Sequence, residues 1–394
     1  MFQAHGIARK SLRAGALAAG AACLLAPLAA QVRVGQAAQP LTERWQQVPV
    51  APRGSTLMGI SFRPRQVETF GLDVQHSLRD LLTYPFHLIR FGAYWNQMEP
   101  EPGKYRFDEL DREIEAAEEA GKHVIVCVGA VKVFGYPEFF VPDHHLPEPL
   151  REGRLVKPAE HQRLLDAAIE FITRVVDRYR DRESIIAWQV EHEATDPLGM
   201  EHSWRLSTDF VRCEVDTVRA ADPSRPVMLN GFLPTSVAVE AQQWWRTRDQ
   251  GDSLVVAKQL ADIVGIDFYP RHAVAALGST AAYFDGSRSP WQQSRRRELF
   301  AWAAEEPGRE LMVSEGQAEP WEAVTEPPNP RNKAMRSCLP EHLIENYNQC
   351  MQWNHEVPTR ISAYLLWGAE YWLVRDRDGD PSYLRAFARL LQDS

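Results

Sequence analysis

The stretch AWQVEHE, residues 187–193, ends an apolar run with two glutamates, Glu191 and Glu193, on either side of His192. A second apolar run, LMVSEG at 311–316, ends in Glu315. Carboxylates at the ends of buried segments are costly unless they are paired, hydrogen-bonded or protonated. Neither Glu193 nor Glu315 has a lysine or arginine beside it in sequence, so any partner must come from elsewhere in the fold. Two such acids facing each other can act as a proton donor and a nucleophile, the pair that cleaves a glycosidic bond through a covalent intermediate.

The elements that would position them follow from periodicity. Eight short apolar runs read as strands: TLMGISF (56–62), FHLIRFG (86–92), HVIVCVG (123–129), SIIAWQVE (184–191), PVMLNGF (226–232), DIVGIDFY (262–269), ELMVSEG (310–316) and ISAYLLWG (361–368). Amphipathic stretches lie between them, notably FDELDREIEAAEEAGK, PAEHQRLLDAAIEFITRVVDRYRD, WRLSTDFVRCEVDTVRAAD and PSYLRAFARLLQ, with apolar residues at helical spacing. Near-continuous apolar strands alternating with helices imply a parallel sheet covered by helices. Eight repeats in roughly 340 residues fit a single (β/α)8 TIM barrel. An open doubly wound sheet is the rival, weakened by the lack of a G-x-G-x-x-G after the first strand. Two connections are long, 130–158 and the proline-rich 316–340. Both follow strands, so both fall on the carboxyl-end face, where catalytic residues and substrate loops of such barrels sit.

Composition sets the outer limits. With 44% hydrophobic and 25% charged residues over 394 positions, the chain reads as globular. Its formal charge is -9, and the region after residue 38 carries 40 bases against 53 acids, which makes it a poor binder of nucleic acid. Residues 1–38 read as a signal peptide or a membrane anchor: Arg9, Lys10 and Arg13 precede an apolar run from Ala14 to Ala30, and PLAAQ and GQAAQP offer cleavage sites. This places the protein outside the cytoplasm, periplasmic or secreted, or held at a membrane. Residues 39–55 read as a linker and 56–394 as the barrel domain. Cys127 lies in a strand-like run and is expected to be a buried thiol, whereas Cys338 and Cys350 are close enough in sequence to pair in an oxidising compartment. No C-x-x-C is present, and no metal or cofactor is expected.

AWQVEHE resembles the W-Q-V-E-N-E stretch on the fourth strand of retaining glycoside hydrolases of the large (β/α)8 clan, the group of β-galactosidases, cellulases, mannanases and xylanases. The resemblance implies Glu193 as acid/base. LMVSEG is similar to the seventh-strand segment that carries the nucleophile, which implies Glu315. Their separation, 315 - 193 = 122 residues, is about three βα units, as strands four and seven require. IRFGAYWNQMEPEPGKYRFDELD resembles the second-strand region, with Arg90 at its arginine. VGIDFYP resembles the sixth, with Tyr269 beside the nucleophile, and YLLWGAEYW the eighth, with Trp367 as a sugar platform. The resemblance spans roughly residues 56–392 and implies double displacement on a carbohydrate without a cofactor. One position departs from it. His192 stands where the clan has Asn, a residue that helps hold the sugar 2-hydroxyl.

Other residues carry competing readings. Glu319 is a rival nucleophile. Glu191, two residues before Glu193, should point the same way on a regular strand and lie buried below the acid/base. Trp95, Asn96 and Trp321 are candidates for sugar contact from loops. Glu99 caps the EPEPG turn, and His144 and His145 read as surface histidines rather than metal ligands. At the level of the whole chain, the alternatives are a non-catalytic carbohydrate-binding barrel and a metal-dependent barrel enzyme.

Overall fold

The structure, a computed structural model, describes residues 32–36, 38–135, 138–146, 148–197, 204–235, 237–277, 280–286, 290–320, 333–354 and 360–393. Eight strands form a closed parallel barrel: β1 Leu57–Ser61, β2 Leu88–Gly92, β3 His123–Cys127, β4 Ile185–Gln189, β5 Val227–Phe232, β6 Ile263–Phe268, β7 Glu310–Gln317 and β8 Ile361–Trp367. They pair in sequence order, and β8 closes on β1. One helix of an outer ring follows each strand: α1 Val74–Leu82, α2 Asp108–Glu119, α3 Gln162–Tyr179, α4 Thr208–Ala221, α5 Ser253–Leu260, α6 Pro290–Glu305, α7 Pro340–Trp353 and α8 Ser382–Asp393. All eight strands expected from the apolar runs are present, and the (β/α)8 class with them.

Local chemistry explains the helices. In α3, Leu164, Leu165, Ala168, Phe171, Ile172, Val175, Val176 and Tyr179 are buried, a stripe at three- and four-residue spacing. The starts of α4 and α5 are capped by Ser207 and Asp252, whose side chains accept from the backbone N–H of Phe210 and Val255.

The barrel interior changes character along its axis. Leu88, Ile125, Ala187, Met228, Ile263, Met312, Ala363 and Leu365 form a separate apolar cluster, drawn from β2 through β8. Side chains alternate along a strand, so the residues two further on also point inward. These are Arg90, Cys127, Gln189, Asn230, Ser314 and Trp367, with Asp267 four beyond Ile263. An apolar plug thus fills the bottom of the barrel and a mostly polar ring lies above it, at the carboxyl ends. A bulge adds one more inward position: Val313 pairs with Ile266 and Glu315 with Asp267, so Ser314 is passed over. On a regular strand Glu315 would face outward.

Residues 39–55 are not a free linker. Ala38–Pro40 pairs with Lys333–Met335, and Trp45 is only 6% exposed within the main core. The Asn348 side chain on α7 accepts from the Ala51 N–H at 2.8 Å and donates to the Pro49 carbonyl at 2.6 Å. The apolar area of Trp45 and these bonds outweigh the segment's polar, proline-containing composition. Of the leader, residues 1–31 lie outside the described residues, while Val32–Gln36 pairs antiparallel with Thr280–Asp285, part of a hairpin inserted after β6. No helix among the described residues is long and apolar enough to cross a membrane. Cys127, Cys338 and Cys350 are buried, and Cys338 and Cys350 form no disulfide with each other in this structure.

Trp45→Ala is expected to lower the unfolding free energy by about 3 kcal/mol in a urea titration, the cost of emptying a large aromatic site. A change below about 0.5 kcal/mol, the size of an ordinary surface effect, would return this segment to the status of a linker.

Candidate active site

The polar ring at the barrel mouth centres on Arg90 of β2, which is fully buried. Its Nε donates to Ser61 Oγ of β1 at 2.9 Å, one terminal nitrogen to Gln189 Oε1 of β4 at 3.2 Å, and the other to Glu315 Oε1 of β7 at 2.6 Å. The guanidinium also lies 4.0 Å over the Phe134 ring. Tyr269, just past β6, donates its hydroxyl to Glu315 Oε2 at 2.5 Å. Burial leaves the Glu315 carboxyl raised above its usual value, although the Arg90 charge and these two hydrogen bonds pull it part of the way back. Both oxygens of Glu315 therefore accept from donors that favour its carboxylate.

Glu193 has the opposite surroundings. It is buried, and the charges of Asp267, Asp196, Glu138 and Glu315 add to burial in pushing its carboxyl well above the usual range. Asp267 lies within hydrogen-bonding reach of it. Burial and the Glu315 charge push the Asp267 carboxyl well up too, yet its oxygens already accept from Ser314 Oγ at 2.7 Å and Asn230 Nδ2 at 2.6 Å, which suits a carboxylate receiving a third donor. Protons in such a cluster belong to the group as a whole, and the donor pattern puts them on Glu193 before Glu315.

The backbone after β4 is unusual. Glu191 and Glu193 have φ of 57° and 43°, the only non-glycine residues in the left-handed region among those described. Such backbone costs of order 1 kcal/mol or more per residue and is often found at functional sites. Lys132, buried, holds the turn by donating its ammonium to the carbonyls of Glu193 at 2.7 Å and Asp196 at 3.0 Å. The turn also changes the expected direction of Glu191. Alternation fails beyond Gln189, and Glu191 accepts from the backbone N–H of Val131 at 2.9 Å and Lys132 at 2.5 Å, in the loop after β3. It supports the turn from the side and does not lie under Glu193. Gly129 permits this approach, because a Cβ there would fall 2.1 Å from the Glu191 nitrogen.

His192 is buried between these acids. Its Nδ1 lies 3.0 Å from Asn230 Nδ2 and 3.4 Å from Glu315 Oε1. Asn230 Oδ1 already accepts from Gln189 Nε2 at 3.0 Å and from the Glu193 N–H at 3.2 Å, so its amide nitrogen faces the imidazole. Nδ1 is then an acceptor and Nε2 carries the proton. Burial and the charges of Arg90 and Lys132 hold His192 well below its usual pKa, in the neutral form. The imidazole is parallel to Trp367, with centroids 6.4 Å apart. Trp367 has Arg63 over its ring at 4.2 Å, which leaves at most one face for a sugar.

Six residues expected at the site thus converge: Arg90, His192, Glu193, Tyr269, Glu315 and Trp367. Trp95 does not. It is 0% exposed, stacked on His145 and Phe171, with its indole N–H donating to Glu99 at 2.7 Å. The loop reading fails because residues 95–98 form a helical turn that points this indole into the core. Asn96 is exposed, and Trp321 lies outside the described residues. Glu319 pairs with Arg63 through two 2.8 Å bonds, which ties up the rival nucleophile. Glu99 does receive the Gly103 N–H at 2.8 Å. His144 and His145 are not free surface side chains, since their Nε2 atoms lie 3.4 and 2.9 Å from Glu99. Asp267, Asn230 and Lys132 were missed, although each is a polar residue interrupting an apolar run (IVGIDF, VMLNGF, GAVKVF). Ligand atoms of His192, Asp267 and Glu315 also lie within 4.8 Å of one another. A cation there would compete with the Arg90, Tyr269, Ser314 and Asn230 donors that these atoms already have.

A sequence model for a β-galactosidase family, glycoside hydrolase family 42, matches residues 73–210, from α1 through β4 and its acids into α4. β-Galactosidase BbgII of Bifidobacterium bifidum is 30% identical over 137 residues, 32% of this chain and 19% of that protein. β-Galactosidase LacZ of Lactobacillus acidophilus is 23% identical over 181 residues, 44% of this chain and 25% of that protein. The chain therefore matches only about a fifth to a quarter of the length of these curated relatives. Among solved structures, GH5_18 from Streptomyces cattleya in complex with GlcNAc aligns with a TM-score of 0.55 at 15% identity, over 86% of this chain and 81% of that one. Native xylanase 10B from Thermotoga maritima aligns at 0.53 and 13% identity, over 88% and 98%. At these identities the likeness to solved structures is one of fold. Together the matches bear out the resemblance to the (β/α)8 glycoside hydrolases.

The buried Glu191 has a second acid beside it, Glu214 of α4, which burial and the Glu191 charge push well above the usual range. Glu214 is thus the member that carries a proton. A carboxyl whose pKa is raised on folding binds protons more tightly in the native state, so its stabilising contribution is lost as pH rises. Glu214→Gln keeps a neutral side chain at any pH. It is expected to lose less unfolding free energy than wild type as pH rises above about 4.3, the ordinary glutamate value, in urea titrations; parallel curves would show that the pair does not share a proton.

Proposed function

We propose that the chain is a retaining glycoside hydrolase that cleaves a β-glycosidic bond by double displacement, with Glu315 as nucleophile and Glu193 as acid/base. The supporting observation is the asymmetry of the two acids. Glu315 accepts from Arg90 and Tyr269, while Glu193 has no arginine or tyrosine donor among the described residues and is pushed up by burial and surrounding negative charge. Glu315 attacks the anomeric carbon as Glu193 gives its proton to the leaving oxygen; Glu193 then takes a proton from the water that releases the sugar. Arg90 and Tyr269 keep the attacking carboxylate charged and oriented. The Nε2–H of His192 is offered to a sugar hydroxyl in place of the clan's Asn amide, and the face of Trp367 away from Arg63 to a sugar ring. The substrate is a glycoside or an oligo- or polysaccharide, and the basic and apolar leader supports export to the periplasm or beyond.

A panel of aryl glycosides tests this directly. Wild type is expected to cleave at least one with retention of anomeric configuration, followed by NMR, and Glu315→Gln to lower kcat by about a thousandfold or more. Inversion, or unchanged hydrolysis by Glu315→Gln, would exclude the scheme; cleavage of no glycoside would favour a binding protein.

The pH profile carries a second test. Activity needs Glu315 ionised and Glu193 protonated, so the rate falls at low pH through the first and at high pH through the second. Asp267 is the foremost of the charges raising Glu193. Asp267→Asn is therefore expected to move the alkaline limb of kcat/KM to lower pH, and a shift to higher pH would show that Asp267 does not act on the proton donor.

A further inference from the structure

We infer that Glu99, His144 and His145 form a binding site for a zinc ion, which pins the loop after β3 to the turn after β2. The inference uses none of the residues assigned to the acid chemistry, and it stands or falls apart from that reading.

The carboxyl of Glu99 is 2% exposed. A buried carboxylate needs donors for its oxygens and a partner for its charge. Neutral donors are at hand. Oε1 accepts from the Gly103 N–H at 2.8 Å, and Oε2 from the Trp95 indole N–H at 2.7 Å. The Tyr105 hydroxyl also hydrogen-bonds this carboxylate. Among the described residues, its ion-pair partners are two histidines and no lysine or arginine. His145 Nε2 lies 2.9 Å from Oε2, and His144 Nε2 lies 3.4 Å from Oε1. A carboxylate offers about four lone-pair positions. Gly103, Trp95 and Tyr105 take three, which leaves one for two imidazoles. His145 takes it as a hydrogen bond, while His144 stands beyond ordinary hydrogen-bonding range. A proton can thus serve one ring only. A metal ion bound by both histidines and by the remaining carboxylate position serves both.

The spacing suits such an ion. Zinc sits about 2.1 Å from imidazole nitrogen and carboxylate oxygen, so tetrahedral ligand atoms are roughly 3.4 Å apart. The His144 contact already has that length. The His145 contact is shorter, as befits a hydrogen bond whose proton the ion replaces. One ligand atom from each of the three residues lies within 4.8 Å of the other two. Imidazole with carboxylate favours zinc over magnesium or calcium, which take oxygen ligands. The surroundings hold the ligands in place. His145 stacks on Trp95 with centroids 4.7 Å apart, and the same indole N–H fixes the Glu99 carboxylate. Outer contacts of this kind orient the ligands of metal sites. The side chains of His144 and His145 are 22% and 23% exposed, which gives the ion an entry path and a water as fourth ligand. The site also reaches the catalytic frame. The Asn96 N–H donates to the Phe140 carbonyl at 2.8 Å, so the two segments already touch. The loop after β3 carries Lys132 to the Glu193 carbonyl and Phe134 to Arg90. An ion that pins this loop steadies the barrel mouth without entering it.

The test uses the full, untagged chain, stripped with EDTA and dialysed, with ZnCl2 as the probe. Calorimetry is expected to show one site with a Kd of about 1 µM or lower, and no binding of MgCl2 in the same range. Saturating zinc should raise Tm. His144→Ala is expected to give the circular dichroism spectrum of wild type, to bind zinc at least about tenfold more weakly and to lose the rise in Tm. His76→Ala, on α1 with a side chain 71% exposed, should change neither. Zinc-edge X-ray absorption on wild type should show nitrogen and oxygen neighbours at about 2.0–2.1 Å, and it decides independently of either variant. Absence of zinc binding below about 100 µM overturns the proposal. So does an affinity unchanged in His144→Ala, an equal loss in His76→Ala, which would mean general surface histidine binding, or sulfur in the zinc shell, which would put the ion on a cysteine.

Discussion

A buried guanidinium governs this barrel mouth. Arg90 sits on top of the apolar plug, fully out of water, and such a charge is tolerable only when its donors are met. Its neighbours Ser61, Gln189 and Glu315 meet them from β1, β4 and β7, on different sides of the ring. The arginine therefore ties distant strands together and fixes where a negative charge can reside. Glu315 takes that place. The remaining acids of the cluster, Glu193 and Asp267, must hold protons or lean on neutral donors. The difference between the two principal carboxyls is thus a consequence of one cation and its reach, and needs no special property of either glutamate.

A regular barrel strand supplies one inward residue per layer, too few for the groups found here. Two backbone departures make up the number. The bulge at Ser314 lets Ser314 bond Asp267 while Glu315 faces Arg90. The left-handed turn after β4 sends Glu191 to the loop after β3 and leaves Glu193 to the cluster. Each departure costs conformational energy that neighbouring contacts must offset. Lys132 and the Glu191 carboxylate do so for the turn, and Gly129 leaves the room that it needs.

The legible parts of the sequence were those governed by periodicity. Eight apolar runs and the intervening amphipathic stretches specify strands and helices because burial acts on every residue of such a segment. The acids Glu193 and Glu315 stood out because they interrupt that pattern at strand ends. Asp267 and Asn230 interrupt it as well, but within the strand, where a lone polar residue looks like noise until its partners are known. Trp95 and Trp45 were hard for the opposite reason. Both lie in short polar segments, yet a tryptophan there can turn inward and anchor the segment to the core, and nothing local says which way it points. The direction of Glu191 was hidden by its backbone, since alternation holds only while the chain remains a strand.

The substitution at position 192 gains a meaning from this network. Gln189 donates to Asn230 Oδ1, which orients the Asn230 amide so that it donates both to Asp267 and to His192. The imidazole can accept that bond through Nδ1 and still present a proton at Nε2, on the far side of the ring. An asparagine amide and carbonyl at this position would divide the same two tasks between groups on one short side chain. Histidine keeps the donor but carries it farther from the backbone, and its flat ring lies parallel to Trp367. The change therefore preserves the chemistry of the contact and alters the shape of the space between the two rings. Substrate recognition, rather than loss of the acid pair, is where a departure of this kind should act.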